Sequence, residues 1–209
     1  MVIPVKAPRI SLVDPASAEG EVAEIFARQV AQFGTVSNFY RTLAHAPAAI
    51  ACWTTMNAGL RLRYVTDDLS FLQVEQMAII KTSQLNGCDY CLGHNLELGR
   101  DAGLKPRQIA AVLGTVPDDD VLTPAQRCAV RWAEAVTLLT AEDDDELFTE
   151  LRRHFSERQI VELTFLIGMW NCSNRVNRAL RVELEAPECR LHFVRPAGSP
   201  TRTERGREG

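Results

Sequence analysis

Apolar residues recur at helical spacing along almost the whole of this 209-residue chain. Residues 16–33 illustrate the pattern, with one apolar face made by Val22, Ile25, Phe26 and Val30. No run of β-branched residues alternates with polar residues between turn signals, which is the pattern of a strand. The sequence therefore predicts an all-α fold.

Proline, glycine and polar cap residues divide this pattern into segments. Helices are predicted over residues 16–33, 39–43, 47–60, 67–85, 88–102, 106–113, 124–139, 143–154 and 156–185. Thr123 is a predicted N-cap, and Ser156 with Gln159 fits a capping box. We expect residues 1–195 to form one helical domain. Residues 196–209 contain no apolar anchor, and we expect them to be disordered.

Two cysteines stand at the start of one predicted helix. Asn86-Gly87 is a strong turn signal, and Cys88 and Cys91 follow it directly. The N-terminal turn of a helix favours an anion, and a thiolate in a Cys-x-x-Cys motif is such an anion. We therefore predict a redox-active dithiol. A zinc site is the weaker alternative, because His94 would supply only a third ligand.

The other four cysteines stand alone in the sequence, and we predict that they are buried and inert; they are Cys52, Cys128, Cys172 and Cys189. A formal charge of −4 argues against nucleic acid and anionic membranes as partners. No apolar run has the length of a membrane span, and the first residues lack the pattern of a signal peptide. We expect a soluble cytoplasmic protein, where a cysteine pair is more often catalytic than structural.

The segment Ser83-Gln84-Leu85-Asn86-Gly87-Cys88-Asp89-Tyr90-Cys91 resembles the core of the carboxymuconolactone decarboxylase and alkylhydroperoxidase AhpD-like superfamily. The resemblance covers roughly residues 8 to 186. It implies a central helical hairpin, assembly into homo-oligomers, and thiol-dependent peroxide reduction without a cofactor or metal. A weak internal similarity between residues 74–88 and 161–175 fits two helical repeats.

The family chemistry implies roles for both thiols. Cys91 would attack a small-molecule peroxide as a thiolate and become a sulfenic acid, which Cys88 would resolve to a disulfide. A dithiol reductant would then restore the pair.

Two residues depart from the pattern of the peroxidase branch. That branch usually carries glutamate where this chain has Gln76 and histidine where it has Asn95. A neutral amide can hold a hydrogen bond but cannot accept a proton at physiological pH. Glu75 and His94 lie one residue earlier, which is a rotation of about 100° around each helix. We expect Gln76 and Asn95 to make satisfied polar contacts at a buried pocket.

Three residues are candidates to replace the missing acid–base groups. A shift in helix register would bring Glu75 and His94 to the thiols, and His94 lies three residues after Cys91 on the same helix face. Tyr90 could donate a proton to the leaving group. The structural alternatives are a surface or interface His94 capped by local carboxylates, and a Glu75 paired on a solvated face with Lys81 or Arg63.

The sequence is also compatible with two other functions. One is a cofactor-free lyase, decarboxylase or isomerase acting on a small organic acid, whose anion Arg175 or Arg41 would bind. The other is a helical oligomer that senses oxidants without turnover. A polar cluster in the last predicted helix is expected to form a hydrogen-bond network; it comprises Asn171, Asn174, Arg175 and Asn177.

Overall fold

The computed structural model describes residues 7–194, and this part of the chain contains helices and no strands. The predicted all-α fold is therefore confirmed. Ten α-helices lie in the described range: α1 (Gly20–Phe33), α2 (Asn38–Leu43), α3 (Pro47–Asn57), α4 (Tyr64–Asp67), α5 (Leu69–Leu85), α6 (Asp89–Asp101), α7 (Pro106–Val112), α8 (Pro124–Leu138), α9 (Asp145–His154) and α10 (Glu157–Leu180). The predicted disordered tail, 196–209, lies outside the described residues.

Cap residues set most of the helix boundaries. Thr123 and Ser156 form the N-caps of α8 and α10, each with a glutamine in a capping box, as predicted. The first helix begins later than predicted, because Asp14 caps only a short 3₁₀ turn, Pro15–Ser17. The last helix ends earlier, at Leu180, because Arg181 adopts a left-handed conformation with φ of 55°. The chain then leaves α10 without helical structure until a short turn at Pro187–Cys189.

The centre of the fold is α5, which packs against α6, α8 and α10. It carries eleven buried residues distributed around its circumference, and these include Glu75 and Gln76. A tight turn at Asn86 and Gly87 (φ of 60°) connects α5 to α6, and the two helices form the predicted hairpin. A hydrophobic cluster contributed by α1, α2, α3 and α10 surrounds the N-terminal turn of α6.

The isolated cysteines differ from the prediction. Cys128 is buried, but Cys52, Cys172 and Cys189 are exposed, so the predicted burial is wrong for these three. Cys172 lies within α10 and follows no turn, unlike Cys88. The internal similarity therefore does not extend to equivalent cysteine positions. None of the helices in the described range has the length and apolar content needed to span a bilayer.

Candidate active site

The turn between α5 and α6 brings the two thiols together. Cys88 is the N-cap of α6, and its Sγ accepts a hydrogen bond of 3.3 Å from the amide of Cys91. The two sulfur atoms are 2.8 Å apart, and both cysteines are free and buried. The fold therefore contains the predicted pair of thiols at a helix N-terminus. At this distance the two sulfur atoms are in direct contact.

The two thiols have opposite acidities. The hydrogen bond from the Cys91 thiol lowers the pKa of Cys88; burial opposes this effect, and the amide of Cys91 reinforces it. The pKa of Cys91 is raised, because its thiol donates to Cys88 and is buried. These shifts favour negative charge on Cys88 and the proton on Cys91.

Two polar residues of α10 face Cys91. The Cys91 sulfur lies 3.5 Å from Nδ2 of Asn177 and 3.8 Å from Oγ of Ser173. Ser173 and Asn177 are one helical turn apart and buried, and the Asn177 amide also donates to the Ser173 hydroxyl. Both are donors that can stabilise negative charge on this sulfur.

The predicted hydrogen-bond network in α10 is confirmed. Asn174 contacts Asn86 and Ser83 on the α5–α6 hairpin, at 2.9 and 3.4 Å. The role of Asn177 beside the thiol was not identified from the sequence, and neither was Ser173. Their spacing of four residues on the buried face of an otherwise apolar helix was the available signal.

His94 and Tyr90 contact the segment that follows α10. Nε2 of His94 is 2.6 Å from a carboxylate oxygen of Glu185, and its Nδ1 accepts from the amide of Leu191. The Tyr90 hydroxyl accepts from the amide of Phe39 and lies 3.4 Å from Glu185. Burial raises the pKa of Glu185, but the hydrogen bond and charge of His94, together with the amide of Asn38, outweigh it, so the net pKa is lowered.

These contacts change the expected roles of both residues. His94 is buried, so a surface position is wrong, but it is capped by a carboxylate as the structural alternative predicted. Glu185 and Leu191 occupy its two ring nitrogens. The Tyr90 hydroxyl is held by Phe39 and Glu185. Burial, followed by the charge of Glu185, raises its pKa well above the ordinary value. Glu185 was not among the predicted site residues, because the last predicted helix extended through it.

Glu75 is completely buried, so the predicted ion pair on a solvated face is wrong. Arg63 pairs instead with Glu162 of α10. Both carboxyl oxygens of Glu75 lack a hydrogen-bond partner. Burial raises the pKa of Glu75 to about 9, although the positive charge of Arg61 opposes this. Because of the 100° rotation, Glu75 lies where the positive charge of Arg61 acts on it. Neither carboxyl oxygen of Glu75 is hydrogen-bonded to His94.

The two neutral amides are incompletely paired. Gln76 is completely buried, and neither atom of its amide has a hydrogen-bond partner. Asn95 donates to the backbone carbonyl of Cys91 at 2.7 Å, but its Oδ1 has no partner. The expectation of satisfied contacts is therefore wrong for Gln76 and for half of the Asn95 amide.

A cavity of about 50 Å³ adjoins the thiol pair. Cys91, His94 and Asn95 line one part of it. Its walls are mainly aromatic, contributed by Phe33, Phe39, Tyr40, Trp53, Tyr90 and Trp170. Arg61 also lines the cavity, although no role was predicted for it from the sequence.

The two arginines predicted to bind an organic anion are not in the lining. Arg41 donates to the carbonyl of Val13, and Arg175 is exposed and bonded to Asn171. The described residues contain no group of three or more histidine, cysteine, aspartate or glutamate side chains arranged to hold a metal ion.

The chain is similar in sequence to one known family and to two bacterial proteins. Residues 47–135, which include the α5–α6 hairpin, match the model of the carboxymuconolactone decarboxylase family. The uncharacterized protein YdfG of Bacillus subtilis (strain 168) is 30% identical over 102 residues, which are 48% of this chain and 69% of YdfG. The uncharacterized protein YnjA of Escherichia coli (strain K12) is 26% identical over 119 residues, 56% of this chain and 64% of YnjA.

Solved structures share the fold. An uncharacterized peroxidase-related protein from Ralstonia eutropha JMP134, described as an alkylhydroperoxidase AhpD core, has a TM-score of 0.75 at 21% identity, covering 90% of this chain and 96% of that one. The debrominase Bmp8 in complex with 2,3,4-tribromopyrrole has a TM-score of 0.73 at 19% identity, covering 88% and 95%. At these identities the likeness establishes the helical fold.

Proposed function

The chain belongs to the carboxymuconolactone decarboxylase and AhpD-like superfamily, and from this premise we propose that it is a thiol-dependent peroxidase using Cys88 and Cys91. The observation that carries the proposal is the contact between two free, buried thiols at a helix N-terminus, one of which lines a cavity. A low-pKa thiol beside a second thiol is the arrangement that supports reversible disulfide chemistry.

Cys91 is the attacking residue in this proposal, because it lines the cavity, whereas Cys88 does not. The Cys88 thiolate first takes the proton of Cys91 across the 2.8 Å contact. The Cys91 thiolate then attacks the terminal peroxide oxygen, the O–O bond breaks, and the alkoxide takes the proton held on Cys88. The products are a Cys91 sulfenic acid and an alcohol.

Resolution follows at the same pair. The Cys88 thiolate attacks the Cys91 sulfur, the S–O bond breaks, and the departing hydroxide takes a proton from solvent to form water. The peroxide has then gained the two electrons that the two thiols lost in forming the disulfide. A dithiol reductant returns these electrons, and we assign the cycle to the reducing cytoplasm.

This sequence of steps needs no glutamate–histidine relay. Cys88 stores the proton that Gln76 and Asn95 cannot accept. Asn177 and Ser173 donate to Cys91 and stabilise its thiolate while it attacks. His94, Glu185 and Tyr90 serve as positioning residues that join the end of α10 to α6.

The direct test mixes the fully reduced protein with one equivalent of an organic hydroperoxide. Rapid formation of a Cys88–Cys91 disulfide, reversed by a dithiol and located by peptide mass spectrometry, is the expected result. The exposed cysteines Cys52, Cys172 and Cys189 act as internal references. Oxidation that is slow, or spread evenly over these references, would remove the peroxidase proposal. Activity on an organic acid in a protein lacking both thiols would favour the lyase, and redox-dependent assembly without turnover would favour the sensor.

We predict that Asn177→Leu slows oxidation of Cys91 by about tenfold, because a hydrogen bond to a charged group contributes roughly 1.5–3 kcal/mol. Stopped-flow measurement of disulfide formation checks this rate. Asn171→Leu is the matched control, because Asn171 lies on the same helix and contacts neither sulfur. Equal rates for the two variants would show that the Asn177 contact does not stabilise the reacting thiolate.

A further inference from the structure

Arg61 is the most unusual cation in the described part of the chain, because it is only 3% exposed and lines the cavity beside Cys91. Its guanidinium carbon lies 5.0 Å from the centre of the Trp170 ring and 5.3 Å from that of Phe193. These contacts hold the side chain in place without neutralising it. The Nε and Nη2 atoms of Arg61 have no hydrogen-bond partner.

The charge of Arg61 is also uncompensated by an acid. No carboxylate of the described residues lies within ion-pair distance of Arg61, and the acid that influences it most is Glu75. The raised pKa of Glu75, about 9, keeps that carboxyl protonated at neutral pH. Burial lowers the pKa of Arg61 to about 10, which still leaves it charged at neutral pH. A buried charge without a partner is costly, so this arrangement suits an anionic ligand.

A neutral amide in the same cavity has unused hydrogen-bonding capacity. Both amide atoms of Gln29 lack partners, whereas the Tyr40 hydroxyl interacts with Thr54 and Asn57. Gln29 is buried and lines the cavity with Arg61. Its amide N–H is a donor for a carboxylate oxygen that Arg61 does not bind.

We propose that this cavity binds a small organic anion, with its carboxylate at Arg61 and its reactive group at Cys91. The aromatic side chains that line the cavity suit a short apolar body, and the volume of about 50 Å³ restricts its size. This assignment rests on the peroxidase function proposed above: the substrate class is a small organic hydroperoxide that carries a carboxylate. Its hydroperoxide group reacts by the two steps already given, and its carboxylate takes no part in the chemistry.

Propionate and its neutral isostere propionamide are suitable probes, since they have nearly the same shape and differ in charge. We expect calorimetric titration of the reduced protein to give a dissociation constant at least about tenfold lower for propionate, because charge-assisted bidentate hydrogen bonds are the strong ones. Arg61→Met should abolish this preference, and Arg61→Lys should retain part of it. Arg175→Met, which removes an exposed arginine outside the cavity, should leave it unchanged.

Equal affinities for the two probes in the unsubstituted protein would overturn the anion site. A preference for propionate that survives in Arg61→Met would also overturn it. If Arg61→Met weakened the binding of both probes equally, Arg61 would have only a structural role, and the anion site would again be overturned. Oxidation of the same samples by hydrogen peroxide separates this inference from the proposed function. Rapid oxidation of the cysteine pair without a preference for propionate over propionamide would overturn only the anion site. A preference for propionate without oxidation of the pair would overturn the peroxidase proposal and leave the anion site standing.

Discussion

Replacing Cys91 with serine should abolish disulfide formation and reduce peroxide turnover to the background of a protein lacking both thiols. Cys91 is the thiol that lines the cavity, and a serine hydroxyl is not ionised enough to replace its thiolate. Turnover is measured with an organic hydroperoxide and excess dithiol. Cys172→Ser is the matched control, because Cys172 is an exposed cysteine on α10, and its turnover should be unchanged.

Cys88→Ser should behave differently from Cys91→Ser. Cys91 still reacts once and stops as a sulfenic acid, which dimedone labels, because no resolving thiol remains. The reaction should also be slower by about 10²-fold or more, since the sulfur that accepts the Cys91 proton is absent. Dimedone labelling of Cys88 in the Cys91→Ser protein, with none of Cys91 in the Cys88→Ser protein, would reverse the assignment of the two roles.

Glu75→Gln should raise the free energy of unfolding at pH 7 by an amount on the order of 3 kcal/mol. The carboxyl has a pKa near 4.5 when the chain is unfolded and about 9 when it is folded. At pH 7 folding must therefore protonate it, and each pH unit above the unfolded pKa costs about 1.4 kcal/mol. Glutamine has nearly the same shape and avoids this cost, and no hydrogen bond of Glu75 is lost.

The pH dependence follows from the same pKa values. The folded state holds a proton that the unfolded state releases, so the contribution of Glu75 is fully present below about pH 4.5. It is lost progressively as the pH rises to about 9. Urea unfolding at pH 5, 7 and 9 should show a growing advantage of Glu75→Gln over the unsubstituted protein.

Glu162 provides a comparison, because its pKa is shifted in the opposite direction to that of Glu75. Its pKa is lowered, because hydrogen bonds from Tyr64, Arg158 and Arg63 outweigh its burial. Glu162→Gln should therefore destabilise the protein at pH 7. An unchanged or reduced stability of Glu75→Gln at pH 7 and 9 would show that Glu75 is ionised in the folded protein, paired with Arg61.

Local signals in the sequence predicted most helices and the location of the thiol pair. Cap residues such as Thr123 and Ser156 start helices through hydrogen bonds to amides two or three residues away. Asn86 and Gly87 end α5 for a similarly local reason, and this turn places Cys88 at an N-cap. Such short-range interactions depend on neighbouring residues, so they can be read from the order of amino acids.

The sequence by itself therefore determined the helical fold class, the hairpin and the presence of a dithiol at the start of α6. Only the tertiary structure decided what surrounds that dithiol: Asn177 beside Cys91, Glu185 on His94, and an unpaired Arg61 in the cavity. These residues come from α10, from the segment after it and from the π-helical segment Ala58–Leu62 after α3, far from Cys88 in the chain. Their roles depend on which helix faces are buried together and on the pKa shifts that burial causes. Residue spacing within one helix indicates which side chains share a face, but it does not identify the element that this face contacts.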